Sequence, residues 1–316
     1  MVKIAVLDDY QGVSQDLADW TRLPADTEVR VFRDFLPDED TRAGALADFE
    51  VIVAMRERTP FPRSLLARLP KLQLLVTTGA RNASIDLAAA KEQGVVVSGT
   101  RGQRTPTVEL TWALILSLAR NIAAEDQAMR NGDWQRRIGP GLEGKTLGLL
   151  GLGNLGSAVA TIGKAFQMEL IAWSQNLTAE RASQFGARLV TKEQLFAEAD
   201  IVTIHLILSD RSRGLVGAPE LALMKPSAYL VNTSRGPIVS EAALIEALRE
   251  GRIAGAGLDV YDREPLPKDH PLRSLGNTVL SPHQGYVTSD NYRVFYGDAV
   301  GNIAAYLAGE PIRVIE

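Results

Sequence analysis

The chain has 316 residues, 46% of them apolar and 23% charged, with a formal net charge of -4. At about 150 residues per domain, this length suggests two domains. Acidic and basic residues are interspersed, so no clustered basic face points to nucleic acid. The absence of cysteine excludes disulfides, thiolate catalysis and cysteine-ligated metals, and suits a reducing cytoplasm. The apolar run at the start is too short for a signal peptide. Near Leu110 the longest uncharged stretch, Leu110–Ala119, is about half of what spans a bilayer, and it reads as a buried helix. Neither export nor a membrane is therefore expected.

Short apolar runs recur along the chain. They lie at Lys3–Leu7, Val51–Met55, Leu72–Thr77, Val95–Val97, Thr146–Leu150, Glu169–Trp173, Ile201–His205, Ala228–Asn232, Gly255–Asp259 and Val279–Leu280. Ala-rich segments with helical periodicity separate them. Such alternation predicts parallel sheets covered by helices on both faces. The pattern begins twice, at Lys3–Leu7 and again at Thr146–Leu150, which predicts two doubly wound α/β domains. Gly99, Gly102 and Pro106 interrupt it. The expected division is residues 1–99 with 288–316, and residues 100–287. A helix is expected over Thr107–Arg120, with more Leu, Trp and Ile than one core face needs. That surplus suggests a homodimer contact. A last helix, Asn291–Leu307, is expected to return to the first domain.

After the Thr146–Leu150 run comes Gly151-Leu152-Gly153-Asn154-Leu155-Gly156, then a helical pattern over Ser157–Phe166. This is G-x-G-x-x-G between a strand and a helix. Gly151 permits the tight turn, Gly153 lets the backbone approach a pyrophosphate, and Gly156 lets helix and strand pack closely. The helix N-terminus adds unpaired N–H groups and a positive dipole end. A nicotinamide dinucleotide is the expected ligand. An acid about 20 residues further on would bind the adenosine ribose 2′-OH. Here the segment reads Ala172-Trp173-Ser174-Gln175-Asn176, with neither an acid nor an adjacent Arg. Ser174 thus leaves NAD and NADP both open.

There are only three histidines, His205, His270 and His283. His283 has two companions of useful chemistry. Arg235 follows the Val231-Asn232-Thr233-Ser234 strand end and offers a planar fork to a carboxylate. Glu264 lies in the charged loop after Asp259. Hydride addition to a carbonyl develops negative charge on oxygen, which a cation and a nearby acid stabilise.

The segments GLGNLG, NTSRG, GLDVYDREPL and SPHQG occur in that order. Together they resemble the D-isomer specific 2-hydroxyacid dehydrogenase family, and the resemblance runs through nearly the whole chain. It implies a Rossmann-type cofactor domain and a flavodoxin-like substrate domain, with a small 2-keto or 2-hydroxy acid as substrate. It further implies that His283 is the general acid/base. Glu264 would orient the ring and favour its charged form, and Arg235 would bind the substrate carboxylate and polarise its carbonyl. Asp259 would hold the nicotinamide carboxamide. Gly151, Gly153, Asn154, Leu155, Gly156, Ser174, His205, Thr233, Ser234, Arg235, His283 and Gly285 would contact the cofactor. The substrate would meet Ala80 and Arg81 besides Arg235 and His283. No metal is implied.

The chain also departs from the family pattern. Arg81 and Ala83 replace a Gly and an Asp of the substrate loop, while Gly79 and Ile85-Asp86 match. Leu206 stands after His205 where Pro is usual, Gln284 replaces a common Ile, and Tyr286 stands where a small residue is frequent. Arg56 is a candidate second anion contact. Two other readings share the fold, a formate dehydrogenase-like enzyme and a dinucleotide-sensing corepressor-like protein. Glu264 disfavours the first, and the joint presence of Arg235, Glu264 and His283 favours catalysis over the second.

Overall fold

The computed structural model describes residues 1–316. The chain forms two compact units, Met1–Gln103 with Val287–Glu316, and Arg104–Tyr286. No helix is long and apolar enough to cross a membrane.

The first unit holds strands β1 (Val2–Val6), β2 (Thr27–Val31), β3 (Val51–Ala54), β4 (Leu74–Thr77) and β5 (Val96–Gly99). They form one sheet in the order β2-β1-β3-β4-β5, with every ladder parallel. This is the flavodoxin-like doubly wound order. Strand β2 has no counterpart among the apolar runs. Its residues Thr27-Glu28-Val29-Arg30-Val31 alternate, and none is buried. This edge strand is open to solvent along its length, so it lacks the continuous apolar run that marks β3 and β4, buried throughout. The closing helix, Ser289–Leu307, belongs to this unit.

The second unit holds β6 (Thr146–Leu150), β7 (Glu169–Trp173), β8 (Arg188–Leu189), β9 (Ile201–Ile204), β10 (Tyr229–Asn232), β11 (Gly255–Leu258) and β12 (Thr278–Leu280). The order is β12-β11-β10-β9-β6-β7-β8, and all ladders are parallel. Alternate residues of each strand feed two separate cores. Leu150, Ile171, Val202 and Leu230 enter one. Leu149, Leu170, Ile201 and Val231 enter the other. A sheet covered on both faces requires this, because side chains alternate along a strand. Strand order reverses beside β6, where β9 lies on one side and β7 on the other. In open α/β sheets ligands bind outside the C-terminal ends of strands at such a reversal.

Two expectations about helices need correction. The helix after the glycine loop spans Asn154–Ala165 and starts three residues earlier than the apolar periodicity indicates, so Gly156 lies inside its first turn. The long helix spans Thr105–Ala119, two residues earlier than expected at its start, and most of its apolar side chains are covered within its own unit, while Leu110 and Leu116 stay half-buried. Val108, Trp112, Leu114, Ile115 and Leu118 are buried, because the helix packs on β10, β11, β12 and the Asn154–Ala165 helix at once. Exposed apolar side chains come just after it instead. They are Ile122 and Met129 on the helix Ile122–Arg130, then Trp134 at 72% and Ile138 at 100% exposure.

Candidate active site

The glycine loop leaves β6 at Gly151, whose φ of +103° is in the left-handed region. A Cβ there would come 2.8 Å from the His205 carbonyl oxygen. Gly156 has no room for a side chain, since its Cβ would stand 2.1 Å from the Gly151 oxygen. Gly153 differs, because a Cβ on it would meet nothing within 4 Å. It is the helix N-cap and provides no side-chain cap, so the first-turn N–H groups face open space beside bare backbone. Two glycines are thus required by the protein's own packing, and the third leaves a cradle that suits a pyrophosphate. The residues present fit a dinucleotide.

Strand β9 delivers His205 behind this loop. Its backbone N–H donates to Leu150 O at 2.8 Å, and its Nε2 lies 3.1 Å from Thr203 Oγ1. Desolvation pushes its pKa down to about 4, so the ring is neutral at neutral pH. The histidine acts here as an uncharged wedge, 3.4 Å from the position of a Cβ on Gly156. Ser174 ends β7 on the other side of β6, half-buried, and its carbonyl accepts from Leu177 N.

Strand β10 ends in the Arg235 turn. Asn232 holds it from both sides, accepting from Ser234 N at 3.0 Å and donating to Arg235 O at 3.0 Å. Ser234 Oγ donates to Leu206 O in a short bond, which ties the turn to the loop after His205. Thr233 is turned inward and its hydroxyl lies 2.8 Å from that of Thr111 on the long helix. The Arg235 guanidinium donates to Ser234 O at 2.8 Å.

Strand β11 ends in Asp259 and β12 leads to His283. Asp259 is 1% exposed. Its Oδ1 accepts from Ser281 Oγ at 2.6 Å and Gln284 N at 2.8 Å, and its Oδ2 accepts from Gly285 N at 2.9 Å. Burial pushes its pKa up, and the three donors pull back only part of that. These bonds bracket His283, whose φ of +51° is unusual for a residue with a side chain. The Gly285 carbonyl accepts from Thr107 Oγ1 at 3.0 Å, which fixes the far end of the loop to the long helix.

The His283 ring is gripped on two sides. Nδ1 lies 2.5 Å from Glu264 Oε2. The Tyr286 ring meets it edge to face, with centroids 5.8 Å apart. Glu264 Oε1 accepts from Tyr261 N at 2.9 Å, so both carboxylate oxygens are engaged. Tyr261 also points its hydroxyl between the carbonyls of Leu258 and Ser281, at 3.1 and 2.9 Å, and so joins the ends of β11 and β12.

Residues far apart in sequence therefore collect at the C-terminal ends of parallel strands of one sheet: Gly151–Gly156, Ser174, His205, Arg235, Asp259 and His283. The parts that sequence reasoning missed are their supports, Thr107, Thr111, Tyr261 and Ser281. Each is an ordinary polar or aromatic residue, and only the register of neighbouring elements reveals its partner.

In the first unit, Ala80 and Arg81 are exposed and sit on the loop after β4. Arg56 closes over this loop. Its Nη1 donates to Thr78 O at 3.2 Å and its Nε lies 3.6 Å from Glu57. The guanidinium occupies the space beside Gly79, where a Cβ would stand 1.7 Å from Nη1. With Ala83 in place of an acid, buried Asn82 organises the loop. It donates to Arg56 O and Thr77 Oγ1 and accepts from Ser84 N and Oγ.

Residues 112–285 match the family model for the D-isomer specific 2-hydroxyacid dehydrogenase, NAD binding domain. The chain belongs to this family. It is an oxidoreductase of the 2-hydroxyacid dehydrogenase class that uses a nicotinamide dinucleotide. A glyoxylate reductase of Aeropyrum pernix is 42% identical over 256 residues, which cover 78% of this chain and 76% of that one. A D-3-phosphoglycerate dehydrogenase of Methanocaldococcus jannaschii is 37% identical over 84% of this chain, but the match spans only 51% of the longer relative. A crystal structure of phosphoglycerate oxidoreductase from Vibrio cholerae superposes with a TM-score of 0.93 at 36% identity, covering 98% of this chain and 100% of that one. The two sheets are those expected of the family, a Rossmann-type fold and a flavodoxin-like one.

Proposed function

We propose that this dehydrogenase reduces a small, unphosphorylated 2-keto acid of the glyoxylate or hydroxypyruvate type, with His283 as the proton donor. The observation that carries the reading is the His283–Glu264 contact at the C-terminal end of β12. Glu264 accepts from Nδ1–H, which fixes the ring and directs Nε2 to the substrate oxygen. Arg235 holds the substrate carboxylate with its fork and stabilises the charge that develops on the keto oxygen. The reduced nicotinamide, when bound, supplies the hydride.

Gly151, Gly153, Asn154, Leu155 and Gly156 hold the pyrophosphate in this reading, and Ser174 faces the adenosine ribose. His205, Thr233, Ser234 and Gly285 complete the cofactor's surroundings. Asp259 Oδ2 accepts one backbone bond in the protein and has a second lone pair for the nicotinamide carboxamide. Ala80 and Arg81 contribute to substrate binding.

The preference for an unphosphorylated substrate rests on the arginines after β3. Arg56 is engaged with Thr78 O and Glu57. Arg58 donates to Asp8 O and stacks on the Tyr10 ring. Oxidation of NADH and NADPH with glyoxylate, hydroxypyruvate, pyruvate and phosphohydroxypyruvate tests the proposal. A higher kcat/KM for phosphohydroxypyruvate than for hydroxypyruvate overturns the substrate class. Silence on all four overturns the reading as a small-acid reductase.

Tolerance of NADP follows from Ser174, which puts no negative charge against a 2′-phosphate. A preference for NAD beyond about a hundredfold, some 2.7 kcal/mol, sinks that part. A homodimer is proposed through Ile122, Met129, Trp134 and Ile138, whose exposure a second copy of the chain would relieve. A monomer at micromolar concentration in sedimentation counts against it.

A further inference from the structure

His270, the third histidine, has no place in the chemistry above. It lies half-buried in the same loop as Glu264, six residues further on, and its Nε2 is 3.0 Å from Glu241 Oε1. Its Nδ1 accepts from Leu272 N at 3.4 Å. With Nδ1 as the acceptor, Nε2 carries the proton and donates it to Glu241. Glu241 opens the helix Glu241–Arg249, just beyond the Arg235 turn. Its other oxygen accepts from Asp262 N at 3.4 Å. One carboxylate thus holds the loop of Glu264 at two points.

The same two segments meet a third time. A Cβ on Gly236 would stand 2.1 Å from the Tyr261 carbonyl carbon and 2.6 Å from Asp262 N. The turn that carries Arg235 lies directly against the backbone that precedes Glu264. Tyr261 N, within that backbone, donates to Glu264 Oε1. Arg273 braces the rest of the loop by donating to Leu266 O and Pro267 O, both at 2.8 Å.

We infer that the His270–Glu241 pair is a latch that presses the Arg235 turn and the Glu264 loop together, making His270 and Glu241 positioning residues for the 2-hydroxy acid reaction. The contact between turn and loop at Gly236 has no side chain of its own to hold it. Glu241 supplies that hold from the turn side and His270 from the loop side. The cofactor's glycine loop belongs to other strands and has no part in the latch.

The inference rests on the roles proposed for Arg235, Glu264 and His283, and the test separates the two. Steady-state kinetics with hydroxypyruvate and NADH are compared for wild type, His270→Ala, His270→Gln and His283→Ala. NADH affinity and active fraction are measured by fluorescence titration of each. The latch requires His270→Ala to raise KM for hydroxypyruvate and lower kcat per active site, with a combined loss in kcat/KM of about tenfold or more. NADH affinity, which rests mainly on the glycine loop, should fall less than kcat/KM for hydroxypyruvate. Gln places an amide N–H near the position of Nε2, so His270→Gln should recover most of the loss. If His270→Ala lowers only the active fraction, with wild-type KM and kcat per site, the pair is purely structural and the latch is wrong. No rescue by Gln also overturns it. Retained activity in His283→Ala instead overturns the underlying catalytic reading, whichever way His270 behaves.

Discussion

Glu264 Oε2 approaches His283 Nδ1 to 2.5 Å, while the other oxygen of the same carboxylate is held by Tyr261 N–H. The acid therefore has a fixed orientation, and so does the ring it holds. His283→Ala should lower kcat at least about a hundredfold, the usual weight of a positioned proton donor. Glu264→Gln should cost less, about tenfold, because the amide oxygen still accepts a hydrogen bond while the charge is lost. Steady-state kcat at saturating cofactor checks both. Near-wild-type turnover in His283→Ala removes the histidine from the role.

Arg235 should not tolerate lysine. Its guanidinium offers two parallel N–H bonds to a carboxylate, and an ammonium on a flexible stem cannot reproduce them. Arg235→Lys is expected to reduce kcat/KM by about a hundredfold, with kcat itself lowered. If only KM rises, Arg235 binds substrate and transition state equally and is not a catalytic group.

Asp259 grips the His283 loop through Ser281, Gln284 and Gly285 while almost wholly buried. In Asp259→Asn one face of the side chain becomes an NH2 group, which then opposes backbone donors. A hydrogen bond to a charged group contributes about 1.5–3 kcal/mol, so the variant should be destabilised by about that much. Urea unfolding measures this. Turnover should fall together with stability, because the left-handed conformation of His283 depends on the same bonds. Unchanged stability and unchanged kcat would show that the clamp is dispensable.

His205 links stability to pH. Its imidazole falls from the ordinary value of 6.5 to about 4 in the folded chain, through desolvation. Between these values the unfolded chain takes up a proton that the folded one refuses. Stability is therefore complete above about pH 6.5 and declines as the pH falls towards 4, by at most about 3 kcal/mol. His205→Gln keeps a partner for Thr203 but does not titrate. The variant should lose this part of the acid sensitivity, read as the difference in unfolding free energy between pH 7 and pH 5. Identical pH dependence in variant and wild type would falsify the assignment.

The adenosine end of the cofactor site allows a test by addition. Ser174→Asp places a carboxylate where a ribose 2′-OH is recognised and a 2′-phosphate is repelled. The ratio of kcat/KM for NADH over NADPH should rise about tenfold or more. No change in the ratio would move the ribose away from Ser174.

Much of this protein was legible in its sequence because its strands are buried on both faces. Such strands read as unbroken apolar runs, and Thr146–Leu150 and Glu169–Trp173 coincide with β6 and β7 to the residue. Two of the four edge strands were not legible. Half-exposed Thr27–Val31 and the two-residue Arg188–Leu189 have no continuous run to betray them. The glycine spacing likewise announced a dinucleotide turn, because backbone conformation is a local property that glycine records directly. The chemistry of Arg235, Glu264 and His283 could be named from residue type and order. What holds each of them could not. Asp259 brackets His283, Tyr261 joins two strand ends, and Glu241 meets His270 across residues that only the packing of one sheet and its loops brings together. The long helix makes the same point about surfaces. Its composition records how much apolar area it has, but only tertiary packing decided that its own unit covers most of that area and leaves Trp134 and Ile138 exposed.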